Sequence, residues 1–146
     1  KIMKKISILV ASAFVFGLTF TSCSSDDDSS AGSIVGKWNF STEKVSINGI
    51  TITDEAYSGN DEGCATKDYL EISETTAVEY DYFGSECTLD TYTSTYTRSG
   101  NTLTLTEDGE VSTVEVLSVN SNTLVIRSVE TMEGGNITYD TTLTKA

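Results

Sequence analysis

Residues 99–126 read SGNTLTLTEDGEVSTVEVLSVNSNTLVI. Apolar side chains fall on alternate positions in short runs: Leu103 and Leu105, then Val114 and Val116, then Leu124 and Ile126. Between the runs stand Ser99-Gly100-Asn101, Asp108-Gly109 and Asn120-Ser121-Asn122, residues that supply tight turns. A period of two places every apolar side chain on one face of an extended chain, where a helix would need a period near 3.6. Short alternating runs joined by such turns form an antiparallel meander.

The same pattern extends in both directions. Upstream, Trp38 and Phe40 start it and Val45 and Ile47 continue it. Asn48-Gly49 then offers a hairpin turn before Ile50 and Ile52. Residues 53–66 are polar and glycine-containing and read as a loop carrying Cys64; Leu70 and Ile72 follow, then Val78, Tyr80 and Tyr82. A Gly84-Ser85 turn and Cys87 precede a threonine-rich strand with Tyr92 and Tyr96. Downstream, Val129 ends one run, Glu133-Gly134-Gly135-Asn136 breaks the chain, and Ile137, Tyr139 and Leu143 close it. The chain contains no proline, so no strand interior is vetoed on that ground. The expected fold is all-β, an antiparallel up-and-down barrel of about eight strands, which removes exposed sheet edges by closing. A two-sheet β-sandwich is the alternative.

The first thirty residues are of another kind. Lys1, Lys4 and Lys5 precede an apolar run from Ile6 to Phe20, short of the roughly 20 residues a spanning helix needs. A basic start and a short apolar stretch suit a secretory signal. Phe20-Thr21-Ser22-Cys23 resembles a bacterial lipobox, which implies diacylation of Cys23 and cleavage before it. Acyl chains contribute about 0.8 kcal/mol per buried CH₂, so two or three of them anchor a protein durably. Residues 24–33, SSDDDSSAGS, hold no large apolar side chain and read as a charged tether. Cys23-Ser24-Ser25-Asp26-Asp27-Asp28 resembles the acidic export signal of surface lipoproteins in Bacteroidota. The expected organisation is a leader over 1–22, a lipidated tether over 23–33 and one domain over 34–146. The expected location is the outer membrane, lipid-anchored at the cell surface or, alternatively, on the periplasmic face.

Three of the nine basic residues precede Cys23 and all 22 acidic ones follow it, so the processed chain carries −16. That charge repels nucleic acid and anionic surfaces and reads as a solvated exterior. With Cys23 consumed by acylation, Cys64 and Cys87 remain, and in an exported chain they are expected to pair. Two free thiols or a metal pair are the alternatives, though a structural zinc site takes four protein ligands and the chain has no histidine.

Ile34-Val35-Gly36-Lys37-Trp38 resembles the L-x-G-x-W opening of lipocalin-like domains in Bacteroidota lipoproteins. Cys64-Ala65-Thr66-Lys67-Asp68-Tyr69-Leu70 resembles that family's Cys-x(3)-Asp-x-Leu segment, and Cys87 sits where its second cysteine is expected. Ser99 to Leu105 is similar to its S-G-N-x-L-x-L hairpin, and Val114 to Val125 to its V-x-x-L…L-V strand pair. One departure is that Thr95-Tyr96-Thr97 stands where the family often has a tryptophan. The resemblance implies a barrel that binds a small apolar or amphipathic molecule in its mouth. The competing reading is a filled barrel whose loops bind an envelope protein or a glycan.

Without histidine, the usual base for a Ser or Cys nucleophile is missing. The carboxylate pairs Asp54/Glu55, Asp61/Glu62 and Asp108/Glu110 lie in polar segments and read as solvated, and none belongs to a twelve-residue calcium loop. No enzymatic activity, cofactor or metal is expected. The candidate ligand-lining residues are aromatic: Trp38, Phe40, Tyr80, Tyr82, Tyr92, Tyr96 and Tyr139, apolar walls with hydroxyl handles. An eight-stranded barrel is, however, just wide enough for side chains to fill, and then the same residues are plain core.

Overall fold

The computed structural model describes residues 32–146 except Glu62. The leader, Cys23, the tether aspartates Asp26, Asp27 and Asp28 and the Asp61/Glu62 pair lie wholly or partly outside the described residues. Nine strands follow one another in antiparallel order: β1 (Gly36–Ile47), β2 (Ile50–Ala56), β3 (Tyr69–Ile72), β4 (Thr76–Phe83), β5 (Thr88–Ser99), β6 (Thr102–Glu107), β7 (Glu110–Val119), β8 (Thr123–Met132) and β9 (Gly135–Lys145). Strands β1 and β3 to β9 pair in sequence and β9 returns to β1, closing an eight-stranded barrel. The barrel reading of the sequence therefore stands, and the sandwich does not.

The ninth strand, β2, lies outside the ring. One side of β1 is covered along its length by β9. The other side meets β3 over Gly36–Asn39 and β2 over Thr42–Ile47. Residues 53–56, expected in a loop, thus extend β2, and a short 3-10 turn over Ser58–Asp61 follows. At the changeover the connection itself takes the backbone groups of β1: Tyr57 N donates to Ser41 O (2.9 Å) and Phe40 N to Asp68 O (3.4 Å). A buried strand edge must find partners somewhere, and here the β2–β3 connection supplies them.

The pairing of β1 with β9 shifts between Phe40 and Thr42, which leaves Ser41 as an extra residue. Trp38 and Phe40 point inward before this bulge, and Glu43 and Val45 after it, because one inserted residue reverses the alternation. The hairpin turns at Asn48-Gly49 and Asp108-Gly109 have positive φ at both central residues (50° and 79°; 49° and 87°). That is the type I′ geometry whose twist matches paired strands, and asparagine, aspartate and glycine tolerate it best.

One end of the barrel is packed solid. Trp38, Leu124 and Leu143 are fully buried, surrounded by Ile34, Ile72, Ala77, Tyr96, Leu103 and Val116. The Trp38 indole donates to Ile34 O (2.7 Å) and the Tyr96 hydroxyl to Ser73 O (2.7 Å), so both rings bury without an unpaired polar atom. Ile34 and the turn after β3 thereby close this floor.

Candidate functional site

Above the floor the interior changes character. The cross-strand register continues the inward face from Leu103 and Leu105 to Val114 and Ser112, and from Val116 to Ile126. It then runs from Ile126 and Ser128 to Thr141 and Tyr139. Beyond Val116, which belongs to the floor, these inward residues on β7, β8 and β9 are half-buried rather than buried, so this half of the barrel is a cup open to solvent. Its apolar wall, with Leu105, Ile126 and Phe40, rests directly on the floor cluster. Tyr139 stands near the rim with its hydroxyl 3.4 Å from a Glu130 carboxylate oxygen.

The opposite wall is acidic. On β4 the inward residues are Ala77, Glu79 and Asp81, opposite Ser94, Tyr92 and Asp90 of β5. Glu107 reaches the same space from β6 and lies 3.5 Å from the Ser94 hydroxyl. Burial, together with Asp81, Asp68 and Glu107, pushes the Glu79 carboxyl up to about 7. All three of those neighbouring charges are negative, so the neutral acid is the favoured form at mildly acidic pH.

Tyr57 covers this wall. Its ring stacks on Phe40, centroids 4.6 Å apart and planes 18° from parallel. Burial and the carboxylates of Glu79, Asp68, Glu43 and Asp81 raise its hydroxyl far above the ordinary phenol range, so it stays protonated. The segment that carries it is pinned at three places. Asp68 Oδ1 accepts from Tyr82 N (2.8 Å), and Gly59 sits so close to the Tyr57 ring and the Asp68 carboxylate that a Cβ would collide with both. A disulfide joins Cys64 to Cys87 in the turn after β4, with Cα atoms 5.4 Å apart. The expected pairing is therefore formed, and it fastens the β2–β3 connection over the seam.

Of the seven aromatic residues singled out in the sequence, Trp38 and Tyr96 belong to the floor. Phe40 lies under Tyr57, and Tyr92 and Tyr139 face inward near the rim. Tyr80 and Tyr82 point the other way. Tyr80 pairs with Tyr69 and stacks on it outside the barrel (4.3 Å), with the Lys37 ammonium 3.6 Å from the Tyr69 ring centre. The physical reason is phase: Ala77, the small residue of β4, packs in the floor, so the odd positions turn inward and the aromatic even ones outward. The reading of the acidic residues as purely exterior is corrected by the same fact, since Glu79 and Asp81 face inward. The alternation Ala77–Glu79–Asp81 was visible in the sequence, but nothing local to it named the inner face. Tyr57 carried no sequence signal beyond its place in a polar segment.

Asp54 and Glu55, adjacent on β2, alternate to opposite faces: Glu55 stands opposite Glu43, and Asp54 opposite Lys44. Glu43, Val45, Thr53, Glu55, Ala56 and Ser58 line a cavity of about 170 Å³ on the inward side of this hairpin. Asp108 and Glu110 are exposed at the β6–β7 turn. A larger groove, about 420 Å³, lies outside the wall between Val35, Lys37, Glu71 and Val78. Among the described residues no group of three or more acidic or cysteine side chains is arranged to hold a metal ion.

Residues 34–126 match the model of the lipocalin-like domain family. The fold is similar to a crystal structure of a lipocalin-like protein from Bacteroides uniformis, at 11% identity and a TM-score of 0.54, covering 79% of this chain and all of that one. A bovine odorant binding protein, a deswapped triple mutant, aligns at 11% identity over 76% of this chain and 72% of its own, with a TM-score of 0.44. No curated protein matches the chain. A family match over most of the chain and a closed eight-stranded barrel lead to one assignment: this chain belongs to the lipocalin-like domain family.

Proposed function

We propose that the protein is a lipid-anchored cell-envelope lipoprotein whose barrel binds a small apolar or amphipathic molecule in its open half. The observation that carries this is the half-buried inward wall of Leu105, Val114 and Ile126 above a fully packed floor. A concave apolar surface with a few polar groups at its edge is what small-molecule sites require. Lipocalin-like barrels commonly serve that purpose. The packed floor fixes the depth, so a ligand's apolar part rests on Phe40, Leu105 and Ile126 and its polar part lies near Tyr139 and Glu130. Anchoring through Cys23 would hold this cup at the membrane, where amphipathic molecules concentrate. The test is displacement of a fluorescent amphiphile by a panel of fatty acids, bile salts and quinones. Saturable one-to-one binding, weakened by Ile126→Glu, supports the reading; an unsaturable signal that ignores the substitution sinks it.

A second reading has its own observation. The hairpin tips carry exposed apolar side chains, Ile47, Ile50 and Met132, with Ile50 69% exposed. Such tips favour contact with another envelope protein or a glycan, and loss of that contact on Ile50→Ser with ligand binding intact would separate the two.

A further inference from the structure

We propose that the free edge of β2 is a strand-addition site, which takes an extended segment of another protein with basic and apolar residues in alternation. This rests on the second reading above, contact with a protein at the β1–β2 hairpin, and gives that contact a mode. Among the described residues β2 pairs with β1 alone, whereas each of the eight ring strands has a neighbour on both sides. All seven residues of β2 are exposed, so the connection that runs on to β3 leaves this edge uncovered. Backbone direction alternates along a strand. Tyr57 N is turned to Ser41 O of β1, and Thr53 and Glu55 share its phase. Asp54 and Ala56 therefore turn their N–H and C=O groups away from β1, to the open side. An unpaired row of such groups is a template for a further strand.

Two features select the occupant. Thr53 and Glu55 stand opposite Val45 and Glu43, and these four, with Ala56 and Ser58, line the cavity of about 170 Å³ on the inward side of the hairpin. A strand laid along β2 sends alternate side chains to that side, where an apolar stem passes Val45 and Thr53 and a cationic end meets Glu55. Ile52, the extra residue where the register of β1 and β2 shifts, is 57% exposed and offers apolar surface to the side chains in between. A second copy of this chain is disfavoured. The chain is strongly acidic, and pairing β2 with itself would bring two Asp54-Glu55 pairs onto one short ladder.

The test uses the chain from Ser24 onward, which retains every described residue, and a synthetic peptide alternating lysine and valine; a valine–glutamate peptide is the control. Amide hydrogen exchange reads the edge directly. At a peptide concentration about ten times its Kd, protection at Asp54 and Ala56 should rise roughly tenfold while the Leu124 amide holds constant. Asp54→Pro removes an outward N–H, which an edge strand tolerates, and should abolish binding with Leu124 still protected. Asp54→Asn keeps that N–H and should keep the binding. Glu55→Gln should weaken it about two- to fivefold. Ile50→Ser alters the tip and leaves the edge backbone in place, so it should keep the amide signature, and failure of the tip contact is read apart from failure of the edge. Absence of saturable lysine–valine binding, binding without protection at Asp54 and Ala56, equal binding of the valine–glutamate peptide, or self-association through β2 in sedimentation would each overturn the proposal.

Discussion

The ring of Tyr57 lies over that of Phe40, 4.6 Å between centroids, and joins a connection outside the barrel to the wall inside it. Sealing the changeover between β3 and β2 depends on this pair. An aromatic pair is worth about 0.5–1.5 kcal/mol beyond the area it buries. Tyr57→Ala should cost about 2 kcal/mol in denaturant unfolding and speed the uptake of an apolar dye; an unaltered unfolding midpoint would show that the ring seals nothing.

Glu79 sets a stability that depends on pH. Its folded value near 7 stands above the unfolded 4.5, so its contribution is fully present below about pH 4.5 and is lost as pH rises through 7. Urea unfolding at pH 8.5 should therefore find Glu79→Gln more stable than the parent, on the order of 2 kcal/mol, and near parity at pH 4.5. Equal stability of the two at both pH values would contradict the buried placement.

The Cys64–Cys87 bridge closes a loop of 23 residues. In the chain-entropy account a loop of that length contributes roughly 3 kcal/mol. The double variant Cys64→Ser, Cys87→Ser should lose about that much, and thiol titration of the unreduced domain should find no free thiol at either position. A reactive thiol in the folded, unreduced protein would argue the bridge away.

Arg127 and Asp140, opposite one another on β8 and β9, form a two-pronged ion pair on the outer face (2.6 and 2.9 Å). The Arg127 hydrogen bonds lower the Asp140 carboxyl, so this contribution holds above pH 3.8 and fades as pH falls below it. Exposed pairs are worth little, and Asp140→Asn should cost under about 1 kcal/mol at neutral pH. A loss of several kcal/mol would mean that the pair organises more than its own two strands.

Much of this architecture was legible in the chain because turns and alternation are local. Asn48-Gly49 and Asp108-Gly109 named their hairpins, and the cysteine pair named its bridge. What was hidden is the choice between two faces of a strand. In β4 the aromatic residues Tyr80 and Tyr82 suggest an inner face, yet Ala77 fits the crowded floor and sets the opposite phase. In β1 the bulge at Ser41 resets the alternation, a change that no periodicity announces. Tyr57 reaches Phe40 only because β2 ends where β3 begins along β1, a tertiary relation between distant residues. The apolar wall of the cup was present as Leu105, Val114 and Ile126, but its openness depends on what stands opposite, and there the chain placed carboxylates rather than more apolar bulk.

The central claim is that the open half of the barrel holds a small molecule, and native mass spectrometry of the chain from Ser24 onward, purified gently from a lipid-containing host, tests it most directly. The account predicts a retained mass at one per chain that is lost on denaturation and reduced in Ile126→Glu. A bare protein mass, unchanged by fatty acids, bile salts and quinones at either pH 6 or pH 8.5, would contradict it.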